Sequence, residues 1–200
     1  MVRFADDVLI AFANKDDAQR VMAVLPKRFE KYGLTVHPTK TVLVDFQCSP
    51  KRQAEGEERE RSGTIDFLGF TLYWGKSKRN NWVVKYKTAK DRLRRSLLKI
   101  EAWCKANRHL PQQLQHKRLS LMLTGHYNYY GILGNSRCLA KVKMMTERIW
   151  RKWLSSRSRK SRIYWKQFHS YLKDNPLPPP RIRNNFNYSK QSHRLKSRMP

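Results

Sequence analysis

Asp6 and Asp7 stand side by side between two apolar runs, Val2 and Phe4 before them and Val8-Leu9-Ile10-Ala11-Phe12 after. Adjacent carboxylates repel one another, and each loses hydration when apolar neighbours crowd it. A buried hairpin with such a pair at its bend is expected to hold a divalent metal there. Mg²⁺ bridged by carboxylates and substrate phosphates is the arrangement that phosphoryl transfer uses. Turn chemistry offers a second reading, because Asp favours turns through local hydrogen bonds.

The residues around the pair predict a hairpin, then a helix, then a strand. Asn14 with Asp17 forms a weak capping box, and Ala18, Val21, Met22, Leu25, Phe29 and Tyr32 recur at helical spacing. Pro26 predicts a kink or a break, Gly33 a left-handed stop, and Val42-Leu43-Val44 a short strand. Residues 47–63 read as a polar, solvated loop. Thr64 to Trp74 and Trp82-Val83-Val84-Lys85-Tyr86 read as a second hairpin with a basic tip.

Helices follow from about Thr88, which with Asp91 makes a capping pair. Leu93, Leu97, Ile100 and Cys104 line one face of the first, with Arg92, Arg94, Arg95 and Lys99 on the others. A second helix starts near Pro111 and runs toward Tyr130. A third, after Gly131 and Gly134, turns Leu139, Val142, Ile149 and Trp153 inward and Lys141, Lys143, Arg148 and Lys152 outward. A short helix spans roughly Ser161 to Leu172 and ends at Pro176-Leu177-Pro178-Pro179-Pro180, and the chain beyond Arg181 reads as disordered.

The 200 residues carry a net charge of +28, unevenly distributed. Residues 1–66 hold 11 Lys/Arg and 11 Asp/Glu, whereas residues 67–200 hold 32 Lys/Arg against only Asp91, Glu101, Glu147 and Asp174. So basic a segment calls for a polyanion to offset its self-repulsion. No long apolar run or signal-like segment points to a membrane. Six Trp and nine Tyr among the basic residues favour RNA or single strands, where rings stack on bases. Cys48, Cys104 and Cys138 lack the spacing of a zinc site or a disulfide framework, which fits a reducing cytosol.

In chain order, Arg3-Phe4-Ala5-Asp6-Asp7, Gly33-Leu34 through Lys40-Thr41, and Phe67-Leu68-Gly69-Phe70 resemble the later palm motifs of reverse transcriptases. Gly125-His126-Tyr127-Asn128-Tyr129-Tyr130, the stretch from Trp153-Leu154 to Trp165-Lys166-Gln167-Phe168, and Pro176 to Ile182 resemble the thumb and maturase region of group II intron-encoded proteins. The resemblance implies an α+β fold. A partial polymerase palm of antiparallel hairpins plus one helix would occupy residues 1–86, a basic helical thumb/maturase bundle 87–183, and a basic disordered tail 184–200.

It further implies two-metal nucleotidyl transfer. Asp6 and Asp7 would bind Mg²⁺, or Mn²⁺ in its place, in the complete polymerase only. Lys40 would stand near the entering triphosphate, and Phe67, Leu68, Gly69 and Phe70 would form the primer-grip hairpin, where a tight backbone approach explains Gly69. As plain chemistry, Lys40 is equally a solvated loop lysine and the Gly69 stretch a buried strand with a close contact. Phe4 stands where the family most often has Tyr. The family's third aspartate and its fingers have no counterpart here, since Asp16 and Asp17 suit a helix N-terminus and Asp45 and Asp66 have no place at the metals. The chain therefore reads as the C-terminal piece of a longer, cytoplasmic protein of bacterial or organellar type.

The basic helices are the expected RNA surface, through Arg92, Arg94, Arg95, Lys141, Lys143, Arg148, Arg151, Lys152, Arg157, Arg159, Lys160, Arg162 and Lys166. Tyr127, Tyr129, Tyr130 and Trp165 are candidates for base stacking or for the core. The partners implied are intron RNA, template RNA with a DNA primer, dNTPs and the missing N-terminal half. Two functions stay open: an RNA-directed DNA polymerase of a group II intron, and an RNA-folding maturase with no metal chemistry of its own.

Overall fold

A computed structural model describes residues 1–37, 40–46, 63–158 and 162–183. The fold is α+β, in two compact units, Met1–Lys85 and Tyr86–Pro200. The elements run β1 (Val2–Phe4), β2 (Asp7–Leu9), α1 (Lys15–Glu30), β3 (Ile65–Phe67), β4 (Phe70–Lys76), β5 (Trp82–Thr88), α2 (Lys90–Ala106), α3 (Gln112–Tyr130), α4 (Ser136–Ser155) and α5 (Trp165–Asp174). The expected loop at 47–63, apart from Gly63, and the tail at 184–200 lie outside the described residues.

In the first unit β1 and β2 pair antiparallel with Phe4 opposite Asp7, leaving Ala5-Asp6 as a two-residue turn. α1 follows and runs through Pro26 without the expected break. Asn14 is its N-cap, as expected, but the capping box does not form: Asn14 donates its side-chain amide to Asp17 Oδ2 at 3.4 Å, so no backbone N–H is capped. The C-terminus closes as expected around Gly33, at φ +67°. Gly33 N–H bonds to Glu30 O at 3.0 Å and Leu34 N–H to Phe29 O at 3.1 Å, the paired bonds of a Schellman motif.

Val42-Leu43-Val44 is not a strand. The segment is held instead by Gly63 N–H on Asp45 O at 3.0 Å and by the Trp74 indole on Phe46 O at 3.3 Å. Gly63 permits that approach, since a Cβ there would sit 2.3 Å from Val44 Cγ1. The β stretch from Thr64 to Trp74 is two strands: Phe67 pairs with Phe70 and the chain reverses at Leu68-Gly69, a hairpin as the resemblance implied rather than the continuous buried strand of the plain reading. Both turn residues are left-handed, at φ +50° and +77°, the geometry that two-residue hairpins favour. β3, β4 and β5 then form a meander.

The second unit is a helical bundle whose core centres on Trp150, fully buried on α4 and missed in the sequence. Its ring meets Phe168 and Tyr171 of α5 edge-on, at centroid distances of 5.5 and 5.9 Å. Its N–H donates to Gln115 Oε1 at 2.8 Å. Gln115, itself 1% exposed, gives its amide N–H groups to the carbonyls of Asn107, Arg108 and Leu110, at 2.9, 3.2 and 3.0 Å. One side chain thus seats the indole and ties down the loop between α2 and α3.

A second buried amide does the same at the start of the bundle. Thr88 does not cap α2, whose N-cap is Ala89. Its backbone N–H donates to Asn135 Oδ1, and the Asn135 amide donates to Thr88 Oγ1 and Tyr130 O, each at 2.9 Å. Leu93, Leu97, Ile100, Cys104, Leu139, Val142, Ile149 and Trp153 pack in the core as their spacing predicts. α5 begins at Trp165 rather than near Ser161, with Tyr164 N–H bonded to Gln167 Oε1 at 3.1 Å. Beyond it, residues 176–183 form an ordered strap. Leu177 is buried, Ile182 packs on the core, and Arg183 N–H bonds to Gly131 O at 2.8 Å, so order extends past Arg181.

Gln115→Ala is expected to cost about 2 kcal/mol, because it orphans the buried Trp150 N–H and leaves the three loop carbonyls with only their second donors, Leu110 N–H and Arg157. Gln113→Ala, on the exposed side of the same turn, is expected to stay within about 0.5 kcal/mol. The midpoints of urea unfolding measure both.

Candidate nucleic-acid interface and acidic turn

The acidic pair is presented by the β1–β2 turn. Asp6 is its second residue and Asp7 the first of β2, while Ala5 adopts φ +49° and accepts a bond from Arg3 Nε at 3.1 Å. The hairpin is not buried as expected: Val2 is 56% exposed and Phe4 64%, and both aspartates face solvent. Among the described residues its strands pair with each other only. Lys40 lies in a turn at His37, its N–H 3.3 Å from His37 O, and is exposed. Among the described residues no group of three or more His, Cys, Asp or Glu could hold a metal ion. Two carboxylates offer oxygen donors that suit a hard cation such as Mg²⁺, but only part of its octahedral shell.

Phe67, Leu68, Gly69 and Phe70 form the β3–β4 turn and its flanks. Gly69 is explained by its left-handed φ, and Leu68 shares that conformation, which costs an L-residue roughly 1–2 kcal/mol. Asp66, on β3, accepts a hydrogen bond from Thr71 across the hairpin.

The helical unit brings four of the expected RNA-binding residues together. α2 and α4 leave between them a groove of about 570 Å³, walled by Lys90, Arg94, Lys141, Arg148 and Lys152. Leu93, Leu97, Leu98, Met145 and Ile149 make its apolar lining. Steps of three and four residues place Lys90, Arg94 and Leu98 along α2, and Lys141, Met145, Arg148 and Lys152 along α4. The groove's one acid, Glu101, is bridged by Lys152 Nζ at 2.7 Å.

The other candidates are spread more widely. Arg92 and Arg95 share Asp91 at 3.6 and 3.4 Å, and Lys143 pairs with Glu147 at 2.6 Å. Arg151 is half-buried, bonded to Ile163 O at 2.9 Å and stacked 4.1 Å from the Trp165 ring centroid. Arg157 donates to Arg108 O and Leu110 O, both at 2.6 Å, bracing the loop that Gln115 also holds. Arg162 lies over Tyr164 at 5.4 Å, and Lys166 is exposed on α5. Arg159 and Lys160 lie outside the described residues. Lys90, absent from the expected set, could have been found from its i,i+4 step to Arg94.

Of the rings, Tyr127 is core, with its hydroxyl pushed up to about 12 by burial and then by Glu147. Tyr129 and Trp165 are exposed, at 55% and 41%, and Tyr130 is half-buried. Burial holds His126 below its usual range. Its ring faces Tyr130 at 4.6 Å and Tyr127 at 6.4 Å, and its Nε2 is buried without a partner among the described residues. A depressed imidazole contributes stability that is complete above about pH 6.5 and is lost as pH falls through the folded-state value. Unfolding at pH 7 and pH 5 is expected to show a loss on acidification that His126→Phe reduces.

No curated protein and no solved structure matches the chain significantly. Residues 1–72, from the β1–β2 hairpin into β4, match the family model described as reverse transcriptase (RNA-dependent DNA polymerase).

Proposed function

We propose that this chain is the C-terminal portion of a group II intron-encoded reverse transcriptase/maturase, and that its helical unit binds intron RNA. The observation that carries the reading is the sequel to the reverse-transcriptase match: it ends at Leu72, and the bundle that follows β5 holds a cation-walled groove. An ordinary solvated surface mixes charge signs, whereas residues 67–200 carry the entire net charge of +28. Lys90, Arg94, Lys141 and Arg148 would contact phosphates, and the exposed Tyr129 and Trp165 would meet bases.

In the complete polymerase Asp6 and Asp7 would hold Mg²⁺, which supplies charge neutralisation at the transferring phosphoryl group. Further oxygens, from substrate phosphates and from a carboxylate on another segment, would complete the shell. Lys40 would neutralise the departing pyrophosphate, and Phe67 to Phe70 would lie against the primer. The exposed apolar residues Val2, Phe4, Val8, Ile10 and Phe12 support a covering segment at this hairpin. A binding-only maturase is the second reading, favoured by the cation-walled groove of the bundle, which needs no metal chemistry to hold RNA.

Affinity for structured intron RNA is expected to fall steeply with salt, with a log–log slope of magnitude at least about 3. Arg94→Gln and Arg148→Gln are each expected to reduce that slope by about one, and a flat dependence in filter binding would refute the RNA-binding reading. Asp6→Ala is expected to leave RNA affinity unchanged. In primer extension by a protein carrying the whole palm, it is expected to reduce the rate at least about 100-fold if the polymerase reading holds.

A further inference from the structure

We propose that the cleft between α3 and the strap of residues 176–183 binds a single phosphoryl group, supplied by an RNA strand. The second clause rests on the RNA-binding reading above. The cleft has a volume of about 260 Å³ and lies in the bundle, lined by Thr124, Tyr127 and Asn128 on α3 and by Pro178, Pro179, Arg181 and Arg183 on the strap. Thr124 and Asn128 are one helical turn apart, so a hydroxyl and an amide stand on one face of α3.

The strap's backbone is fixed, which is what makes its two arginines a site rather than loose surface charge. Its start is held by a 3.2 Å bond between His116 Nε2 and Pro176 O and by the buried Leu177. Its end is held by Arg183 N–H on Gly131 O at 2.8 Å. Between them the chain crosses Gly131 so closely that a Cβ there would lie 2.6 Å from Arg181 O. Pro178 and Pro179 fix φ along the same stretch. The cost of ordering this backbone is therefore met in folding, before any ligand arrives.

Both arginines are exposed, and among the described residues no carboxylate pairs with either. Three of the bundle's four acids are engaged elsewhere: Asp91 with Arg92 and Arg95, Glu101 with Lys152 and Glu147 with Lys143, while Asp174 pairs with no cation among the described residues. Two uncompensated guanidinium groups beside a hydroxyl and an amide make a donor-rich, cationic cleft, and guanidinium geometry suits phosphate oxygens. The space falls just below the range of about 300–1,000 Å³ that buries a drug-sized ligand. A phosphoryl group with its adjoining sugar fits better than a whole nucleoside triphosphate. The charge of the bundle favours a polyanion over a free small phosphate as its source.

The test is amide NMR of the full chain, following Thr124, Asn128 and Arg181 during titration with inorganic phosphate or with a short RNA oligonucleotide lacking terminal phosphates. The oligonucleotide is expected to shift these amides at concentrations at least about tenfold below those phosphate requires. The double variant R181Q/R183Q is expected to abolish the shifts and to lower the salt slope of RNA binding by one to two, roughly one per lost contact. Its melting temperature should be unchanged, since backbone bonds and Leu177 hold the strap. Asn128→Ala, on the opposite wall, is expected to weaken the shifts and serves if the double variant does not fold. Shifts that persist in both variants, or RNA bound with these amides silent, would overturn the cleft and leave the RNA-binding reading standing. A response to phosphate alone would keep the cleft and refute its RNA source, whereas no RNA binding anywhere would refute the broader reading.

Discussion

An indole N–H cannot be buried without an acceptor, and the helical unit is arranged around that requirement. Trp150 supplies the largest fully buried side chain of the core and one polar atom that must be satisfied. Gln115 satisfies it and turns its other end to three carbonyls of the α2–α3 loop. Arg157 reaches two of those carbonyls from the end of α4. The loop, the core ring and the last turn of α4 are therefore parts of one network. Such a network raises the stakes of each member, because a half-satisfied set of buried polar groups is worse than none.

Around that neutral core lies a surface with few anions to balance it. Three of its four acids are used close at hand, in Asp91, Glu101 and Glu147 pairings that are at least partly exposed and worth little individually. Their effect is selective rather than stabilising. They quiet charge at particular arginines and lysines and leave others, on the α2–α4 groove and on the strap, uncompensated. The first unit contrasts in kind, with balanced charge along residues 1–66 and apolar side chains left facing solvent on its hairpin. The same chain thus has one part short of anions and another short of cover.

Much of this was legible in the residues. Helical periodicity placed the inward faces of α2 and α4, Gly33 marked the end of α1, and the charge asymmetry identified the basic bundle. The failures have physical causes. Val42-Leu43-Val44 has the composition of a strand, but strand formation needs a partner edge that composition does not reveal. The β3–β4 reversal was legible only through the resemblance to a primer-grip hairpin, because Leu68 is an unusual residue for a left-handed turn position. Thr88 and Asn14 are good capping residues whose side chains found other partners. Gln115 and Asn135 were invisible, since nothing local distinguishes a buried amide from a solvated one. Sequence position also does not reveal that Arg151 and Arg157, candidates for phosphate contact, donate to the backbone carbonyls of Ile163 and of Arg108 and Leu110.

The Thr88–Asn135 clasp bears on how the bundle reaches its native state. Its two residues are 47 apart in sequence, so the clasp closes a ring that contains all of α2 and α3. Ring closure carries an entropic toll that grows slowly with length, whereas each helix within it can nucleate from neighbours a few residues away. Helix formation inside the ring is therefore expected to precede closure of the clasp, which joins the end of β5 to the start of α4.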